Sequence, residues 1–120
     1  MPEVRQWKDW SKGWREGLQR LPPSDQALIK SSLLELLEHL AACSHVLEDD
    51  SLARWQPRPW GVPRTQQSQG VWAEFSLGDR DNRARVIVCH MVAAEVVYLV
   101  ARTAIHKHDV LNRIVADFHP

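Results

Sequence analysis

Three predicted strands lie within residues 70–103, GVWAEFSLGDRDNRARVIVCHMVAAEVVYLVART. The first strand covers 71–77 and is followed by a polar turn, the second covers 83–92, and the third covers 96–103 after a short turn. Both connections are short, as in sheets whose consecutive strands pair antiparallel. This stretch therefore predicts an antiparallel meander, residues 70–103, and it decides the fold.

The half of the chain before the meander is predicted to be helical. Apolar residues recur at helical spacing from Ile29 to Leu40 and continue to about Val46, and Ser24 is the predicted N-cap of this helix. Before it, one helical stripe holds Trp7, Trp10, Trp14, Leu18 and Leu21. We expect a helical hairpin over residues 5–46, packed on the sheet. The alternative for residues 2–7 is a short strand at the sheet edge.

Two further segments complete the predicted fold. Residues 51–69 combine prolines, tryptophans and arginines and predict an irregular connection, of the kind that is often functional when it is long. Residues 108–119 carry apolar side chains at helical spacing and predict a short C-terminal helix. The 120 residues are expected to form a single α+β domain, with the hairpin on an antiparallel sheet of three or four strands.

The charges are divided unevenly between the two halves, although the net charge is zero. Residues 1–50 hold nine acidic and six basic side chains, and residues 51–120 hold six acidic and nine basic ones. We interpret this as one basic sheet face that serves as a working surface. The alternative is that one helical face simply happens to be acidic.

Several classes of protein and site are excluded or disfavoured by the sequence. The N-terminus does not have the form of a secretory signal, and no apolar run is long enough to cross a bilayer, so a cytoplasmic protein is expected. Cys43 and Cys89 are predicted to be buried thiols. His106 and His108 flank a lysine that opposes metal binding, and no glycine-rich phosphate loop is present. We therefore expect no metal and no cofactor.

Arginine with interleaved aromatic residues is the remaining chemical signal. The guanidinium fork binds phosphate through two charge-assisted hydrogen bonds, and aromatic rings stack on bases. Seven arginines fall where a folded connection would bring them over the sheet: Arg54, Arg58, Arg64, Arg80, Arg83, Arg85 and Arg102. Trp55, Trp60 and Tyr98 are the candidate stacking residues. The alternative is that Arg83 and Arg85 form the solvent side of their strand.

The order of these elements resembles the RelE/HigB-type superfamily of ribosome-dependent messenger-RNA interferases, which are the toxins of bacterial toxin–antitoxin pairs. The matching pieces are Leu21-Pro22-Pro23-Ser24-Asp25-Gln26, the helix through 33–39, Arg58-Pro59, Gly70-Val71-Trp72-Ala73-Glu74-Phe75, Arg83-Ala84-Arg85-Val86-Ile87-Val88 and Val96-Val97-Tyr98-Leu99-Val100. The similarity covers about residues 18–108.

The resemblance implies an endoribonuclease toxin, or an inactive relative, that acts on messenger RNA on the ribosome and has a cognate antitoxin covering the basic sheet face. Its reaction is attack of a 2′-hydroxyl on the neighbouring phosphate, which needs cations and a proton-transfer group. The implied catalytic residues are Arg83, Arg85, His106 and His108. The arginine pattern and the resemblance together give Arg58, Arg64, Arg80, Arg102 and Lys107 as the expected RNA contacts.

Two other functions remain open from the sequence. The chain is alternatively a non-enzymatic interaction module of phage or mobile-element origin that binds a protein through its tryptophan-rich helix and the loop from Trp55 to Trp60, because aromatic residues anchor interfaces. A third interpretation is nucleic-acid binding without chemistry.

Overall fold

The computed structural model of this chain describes residues 2–62, 64–67, 69–77, 84–105 and 108–120. These residues form a five-stranded sheet with helices on both faces. The strands are β1 (Glu3–Gln6), β2 (Arg58–Pro59), β3 (Val71–Ser76), β4 (Arg85–Met91) and β5 (Val96–Thr103). The helices are α1 (Trp14–Gln19), α2 (Pro23–Ala42), α3 (Arg64–Gln67) and α4 (His108–Asp117), with a 3₁₀ helix over Asp50–Trp55.

The strand order is β1-β5-β4-β3-β2. β3, β4 and β5 pair antiparallel in sequence order, so the α+β class and the predicted meander are confirmed. β1 pairs in parallel with β5, and β2 pairs antiparallel with β3. The sheet is therefore mixed and has five strands. The expectation that all strands are antiparallel is wrong at the β1 edge, and β2 adds a further antiparallel strand at the other edge.

The N-terminal segment starts as a strand, which is the alternative left open for residues 2–7. The backbone N–H of Trp7 extends this pairing by donating to the carbonyl oxygen of Leu99 at 2.9 Å. Turns follow as far as Gly13, whose φ of 77° lies in the left-handed region, and α1 then has only six residues. The predicted hairpin over residues 5–46 is therefore wrong over residues 5–13, where a strand and turns replace the predicted helix. Parallel pairing with β5 satisfies the backbone as far as Trp7, which the helical spacing of the tryptophans had assigned to a helix.

The second helix has the apolar face that its sequence predicts. Ile29, Leu33, Leu36 and Leu40 are buried in the core that α2 forms with the sheet. The helix begins at Pro23, not after a Ser24 cap, because proline at the first helical position already has a helical φ and lacks the N–H that would need a partner.

Both faces of the sheet are covered. On one face Phe75, Val86 and Leu99 pack against α1, α2 and the 3₁₀ helix. On the other face the apolar side of α4 packs on the sheet through Leu111, Ile114, Val115 and Phe118. Since residues 86–90 of β4 are buried throughout, the prediction of an exposed basic sheet face is wrong. The amphipathic helix α4 covers the sheet face that was predicted to be exposed.

The connection over residues 51–69 contains the end of the 3₁₀ helix, β2 and α3, so it is less irregular than predicted. Gln66, which is buried, fastens it to α4. Its Nε2 donates to three carbonyl oxygens at the end of that helix, those of Val115, Ala116 and Phe118, at 2.7, 2.9 and 2.8 Å. The side-chain amide thereby caps the C-terminus of α4 and holds it on the sheet.

Candidate functional site

The structure places only part of the predicted site. Arg80, Arg83, His106 and Lys107 lie outside the described residues. Arg64 and His108 are the first residues of α3 and α4, and their side chains also lie outside what the structure describes. Of the four predicted arginines that remain, Arg54 pairs with Glu35 on α2 and lies over the ring of Trp55, away from the others. The geometry of the site therefore rests on Arg58, Arg85 and Arg102.

Arg58 and Arg85 line one open cleft of about 550 Å³, together with Glu74, Asn112 and Trp60. Three strands and a helix meet there: β2 carries Arg58, β3 carries Glu74, β4 carries Arg85 and α4 carries Asn112. Pairing of β2 with β3 sets Arg58 opposite Glu74, and pairing of β3 with β4 sets Arg85 opposite Ser76. We call this group the Arg58–Arg85 cleft.

The cleft is organised around an ion pair between Glu74 and Arg85. The Nε of Arg85 lies 3.2 Å from Oε1 of Glu74, and the two side chains are only 19% and 17% exposed. The Nη1 of Arg85 also donates to the carbonyl oxygen of Ala84 at 2.9 Å. Partial burial reduces screening by water, so this pair holds its geometry better than a surface pair does. The carboxylate and the guanidinium are fixed relative to each other at the wall of the cleft.

Glu74 is a site residue that the sequence analysis missed. Alternation along β3 places Trp72, Glu74 and Ser76 on one face of the strand. Arg85 of the neighbouring strand lies on the same face. The sequence signal for Glu74 was therefore an acidic side chain at an alternating position between Trp72 and Ser76. The resemblance directed attention to arginines and histidines instead.

Arg102 does not join the other two arginines, because β5 contains a bulge. The register pairs Val86 with Arg102, Ile87 with Ala101 and Val88 with Leu99. Val100 is therefore an extra residue, which reverses the alternation and turns Arg102 toward α1. Its guanidinium lies over the rings of Trp10 and Trp14, at 4.9 and 4.7 Å from their centroids. The prediction that all the arginines gather over one sheet face is wrong.

The tryptophans are mostly buried, whereas the interaction-module prediction expected them at the surface. Trp10, Trp14, Trp55, Trp60 and Trp72 are buried, and Trp7 is half-buried. Most of them pack into the two cores on either side of the sheet. Among the described residues, the tryptophans therefore do not form the exposed surface that this prediction expected.

The histidines and cysteines that the structure describes have structural surroundings. Buried His90 accepts a hydrogen bond at Nδ1 from the backbone N–H of Val46 at 3.4 Å, and burial, followed by the nearby His45, lowers its pKa. Cys43 and Cys89 are free and buried, as predicted, and burial raises the pKa of Cys89 to about 12. Within the described part of the chain, no cluster of three or more His, Cys, Asp or Glu residues could hold a metal ion. None of the helices described here is long and apolar enough to cross a membrane.

The Arg58–Arg85 cleft brings two guanidinium groups and one carboxylate together at an open surface. Two guanidinium groups can donate to phosphate oxygens, and Glu74 can accept a proton through its second oxygen. Comparison of the chain with protein-family models, with curated proteins and with solved structures gives no match.

Proposed function

We propose that this protein is a RelE/HigB-like toxin that binds messenger RNA on the ribosome and cleaves it in the Arg58–Arg85 cleft. The observation that supports this most directly is the partly buried Glu74–Arg85 pair, which faces an open cleft beside the exposed guanidinium of Arg58. A protein that acts on ribosome-bound RNA works in the cytoplasm, so the proposal includes that location.

The order of elements supports the same proposal. A helical region precedes a connection that contains Arg58-Pro59, and three antiparallel strands follow. This is the order on which the resemblance to the RelE/HigB superfamily rests. Arg85, one of the two strand arginines that the resemblance offers as a phosphate clamp, lies in the cleft.

The proposed reaction makes two proton transfers and exchanges one bond at phosphorus. Glu74 accepts the proton of an RNA 2′-hydroxyl through Oε2, while Oε1 stays paired with Arg85. The oxygen attacks the adjacent phosphorus, the bond to the 5′-oxygen of the next nucleotide breaks, and a 2′,3′-cyclic phosphate forms. The departing oxygen takes a proton from an acid, for which we propose His108, one helical turn before Asn112 on α4.

Arg58 and Arg85 have different parts in this proposal. Arg85 is held by Glu74, which fixes the direction of its guanidinium and favours the charge that builds on the phosphoryl oxygens in the transition state. Arg58 is exposed on a two-residue edge strand and meets the RNA backbone first. We also expect a cognate antitoxin to cover this cleft, since α4 already covers the sheet face.

The proposal is tested by inducing the protein in bacteria and mapping breaks in translated messenger RNA by primer extension. The wild type should arrest growth and break messages only while they are translated. Glu74→Gln and Arg85→Gln should lose both effects, whereas Arg113→Gln should keep them, because Arg113 is an exposed arginine on α4 that does not line the cleft.

Two results would contradict the proposal. Harmless expression of a folded wild-type protein that breaks no message would remove the ribonuclease function. Salt-dependent retention of RNA without breaks would leave RNA binding in place and show that the catalytic assignment of Glu74 is wrong.

A further inference from the structure

A second pocket lies beside α1, where β5 ends. It has a volume of about 170 Å³, and its polar lining includes Lys12, Glu16, Arg20 and Arg102. The bulge in β5 directs Arg102 to this place, on the α1 side of the sheet, whereas Arg85 lies in the cleft on the α4 side. The pocket is therefore separate from the proposed ribonuclease site, and its argument does not rest on that function.

Arg102 has fewer hydrogen-bond acceptors than its burial requires. Its Nη2 donates to Ser11 Oγ at 2.6 Å. Its Nε is buried and has no hydrogen-bond partner among the residues that the structure describes. The rings of Trp10 and Trp14 attract the cation but do not accept its in-plane N–H groups. A buried donor that is left without an acceptor costs stability, so this arginine is suited to receive an anion.

The charge around the pocket favours the same kind of ligand. Three cationic side chains, Lys12, Arg20 and Arg102, face one carboxylate, Glu16, which gives the lining a formal charge of plus two. Burial lowers the pKa of Arg102, as expected for a guanidinium that no described carboxylate compensates within ion-pair distance. A bound anion would supply that compensation.

We propose that this pocket binds a small phosphoryl anion, either free phosphate or the phosphate group of a nucleoside monophosphate. A tetrahedral oxyanion with two charges matches the net charge of the lining and accepts hydrogen bonds from several directions at once. The guanidinium of Arg102 supplies the fixed donor, and Lys12 and Arg20 supply charge from the rim. The small volume favours the anion itself over a large ligand.

The test is calorimetric titration of the full chain with inorganic phosphate and, separately, with adenosine 5′-monophosphate, at constant ionic strength. The variants are Arg102→Gln, Arg20→Gln and Glu16→Gln. Arg15→Gln is the matched control, because Arg15 is exposed on the same helix and does not line the pocket. Arg58→Gln controls for binding of phosphate in the other cleft.

Removing a cation from the pocket should weaken phosphate binding, and removing the carboxylate should strengthen it. Arg102→Gln should weaken phosphate binding by about tenfold or more, as the loss of a charge-assisted hydrogen bond does. Arg20→Gln should weaken it by at least about threefold, and Glu16→Gln should tighten it by a similar factor. Both of these side chains are exposed, so the two variants keep the test valid even where Arg102→Gln impairs folding. Arg15→Gln should bind as the wild type does, and Arg58→Gln should keep the phosphate binding that responds to Arg20→Gln and Glu16→Gln.

Comparing the two titrations shows whether the pocket binds free phosphate or the phosphate group of a nucleotide. Tighter binding of the nucleotide, with the same dependence on Arg20 and Glu16, identifies a nucleotide phosphate. Equal binding of both ligands identifies the phosphate alone. The inference is overturned when neither ligand binds, when Arg20→Gln and Glu16→Gln leave binding unchanged, or when only Arg58→Gln abolishes it.

Discussion

Replacing Glu74 with glutamine should lower the stability of the protein, raise its affinity for RNA and slow cleavage. The change keeps the size of the side chain but removes the negative charge that lies 3.2 Å from Arg85 Nε. A merely structural ion pair would show the loss of stability alone. The combination of three effects is therefore specific to the proposed role of Glu74 as proton acceptor.

The loss of stability follows from how deeply the pair is buried. Exposed pairs contribute about 0 to 1 kcal/mol, and breaking a fully buried pair costs about 3 to 5 kcal/mol. Side chains that are 17% and 19% exposed lie between these limits. Because the glutamine oxygen can still accept from Arg85, we expect the free energy of unfolding to fall by about 1 to 2 kcal/mol. Urea denaturation measures this, with exposed Glu38→Gln as a control expected to change it by less than about 0.5 kcal/mol.

The two functional effects have separate assays. Removing a carboxylate beside the phosphate site relieves repulsion, so affinity for a non-cleavable 2′-deoxy-substituted RNA should rise by at least about threefold. Loss of the proton acceptor should slow cleavage by about 10²-fold to 10⁴-fold. The reasoning is refuted if the variant, still folded, cleaves RNA within about threefold of the wild-type rate, or if its affinity for RNA falls.

Three further predictions concern the parts of the fold that hold the site. Gln66→Glu removes the donor that caps α4 and places a carboxylate against three carbonyl oxygens. The free energy of unfolding, measured by urea denaturation, should fall by about 3 kcal/mol or more. An unchanged denaturation midpoint would show that Gln66 does not stabilise α4. Gly70→Ala would place a Cβ 2.7 Å from the carbonyl oxygen of His90 and should cost about 1 to 3 kcal/mol, and a fully stable variant would show that β4 yields there. Burial lowers the pKa of His90, so the unfolded chain binds its proton first as pH falls; the free energy of unfolding should decrease below about pH 6.5, by at most about 1.4 kcal/mol per pH unit from this residue. His90→Asn retains an acceptor for the Val46 N–H and should flatten this decline, whereas an unchanged pH profile would assign the decline to another group.

The central strands and the second helix could be predicted from the sequence because their signals are local. β3, β4 and β5 have apolar residues bounded by turn residues, and α2 repeats leucine on one face. β1 has four residues, and its partner is more than ninety residues away along the chain, so only the tertiary structure determines its parallel pairing. The spacing of the tryptophans was misleading because Trp7 packs on one side of the sheet and Trp10 on the other.

The site was predicted less well, for two physical reasons. A bulge at Val100 leaves no clear mark in a run of apolar residues, yet it decides which face of the sheet receives Arg102. The second reason is that the C-terminal helix covers the sheet face that was predicted to be the site. This could have been inferred from the sequence, because an amphipathic helix over residues 108–119 must bury its apolar side against the sheet. Arg58 and Arg85 were found because guanidinium chemistry is recognisable from residue type alone, whereas Glu74 depended on knowing its neighbours.

The most direct test of the central claim is the single-turnover rate at which the purified protein cleaves messenger RNA on translating ribosomes. The account predicts cleavage that leaves a 2′,3′-cyclic phosphate, slowed by about 10²-fold to 10³-fold in Arg85→Gln and unchanged in Arg113→Gln. A wild-type protein without cleavage, or an Arg85→Gln variant as fast as the wild type, would contradict the claim that this cleft is the site of the reaction.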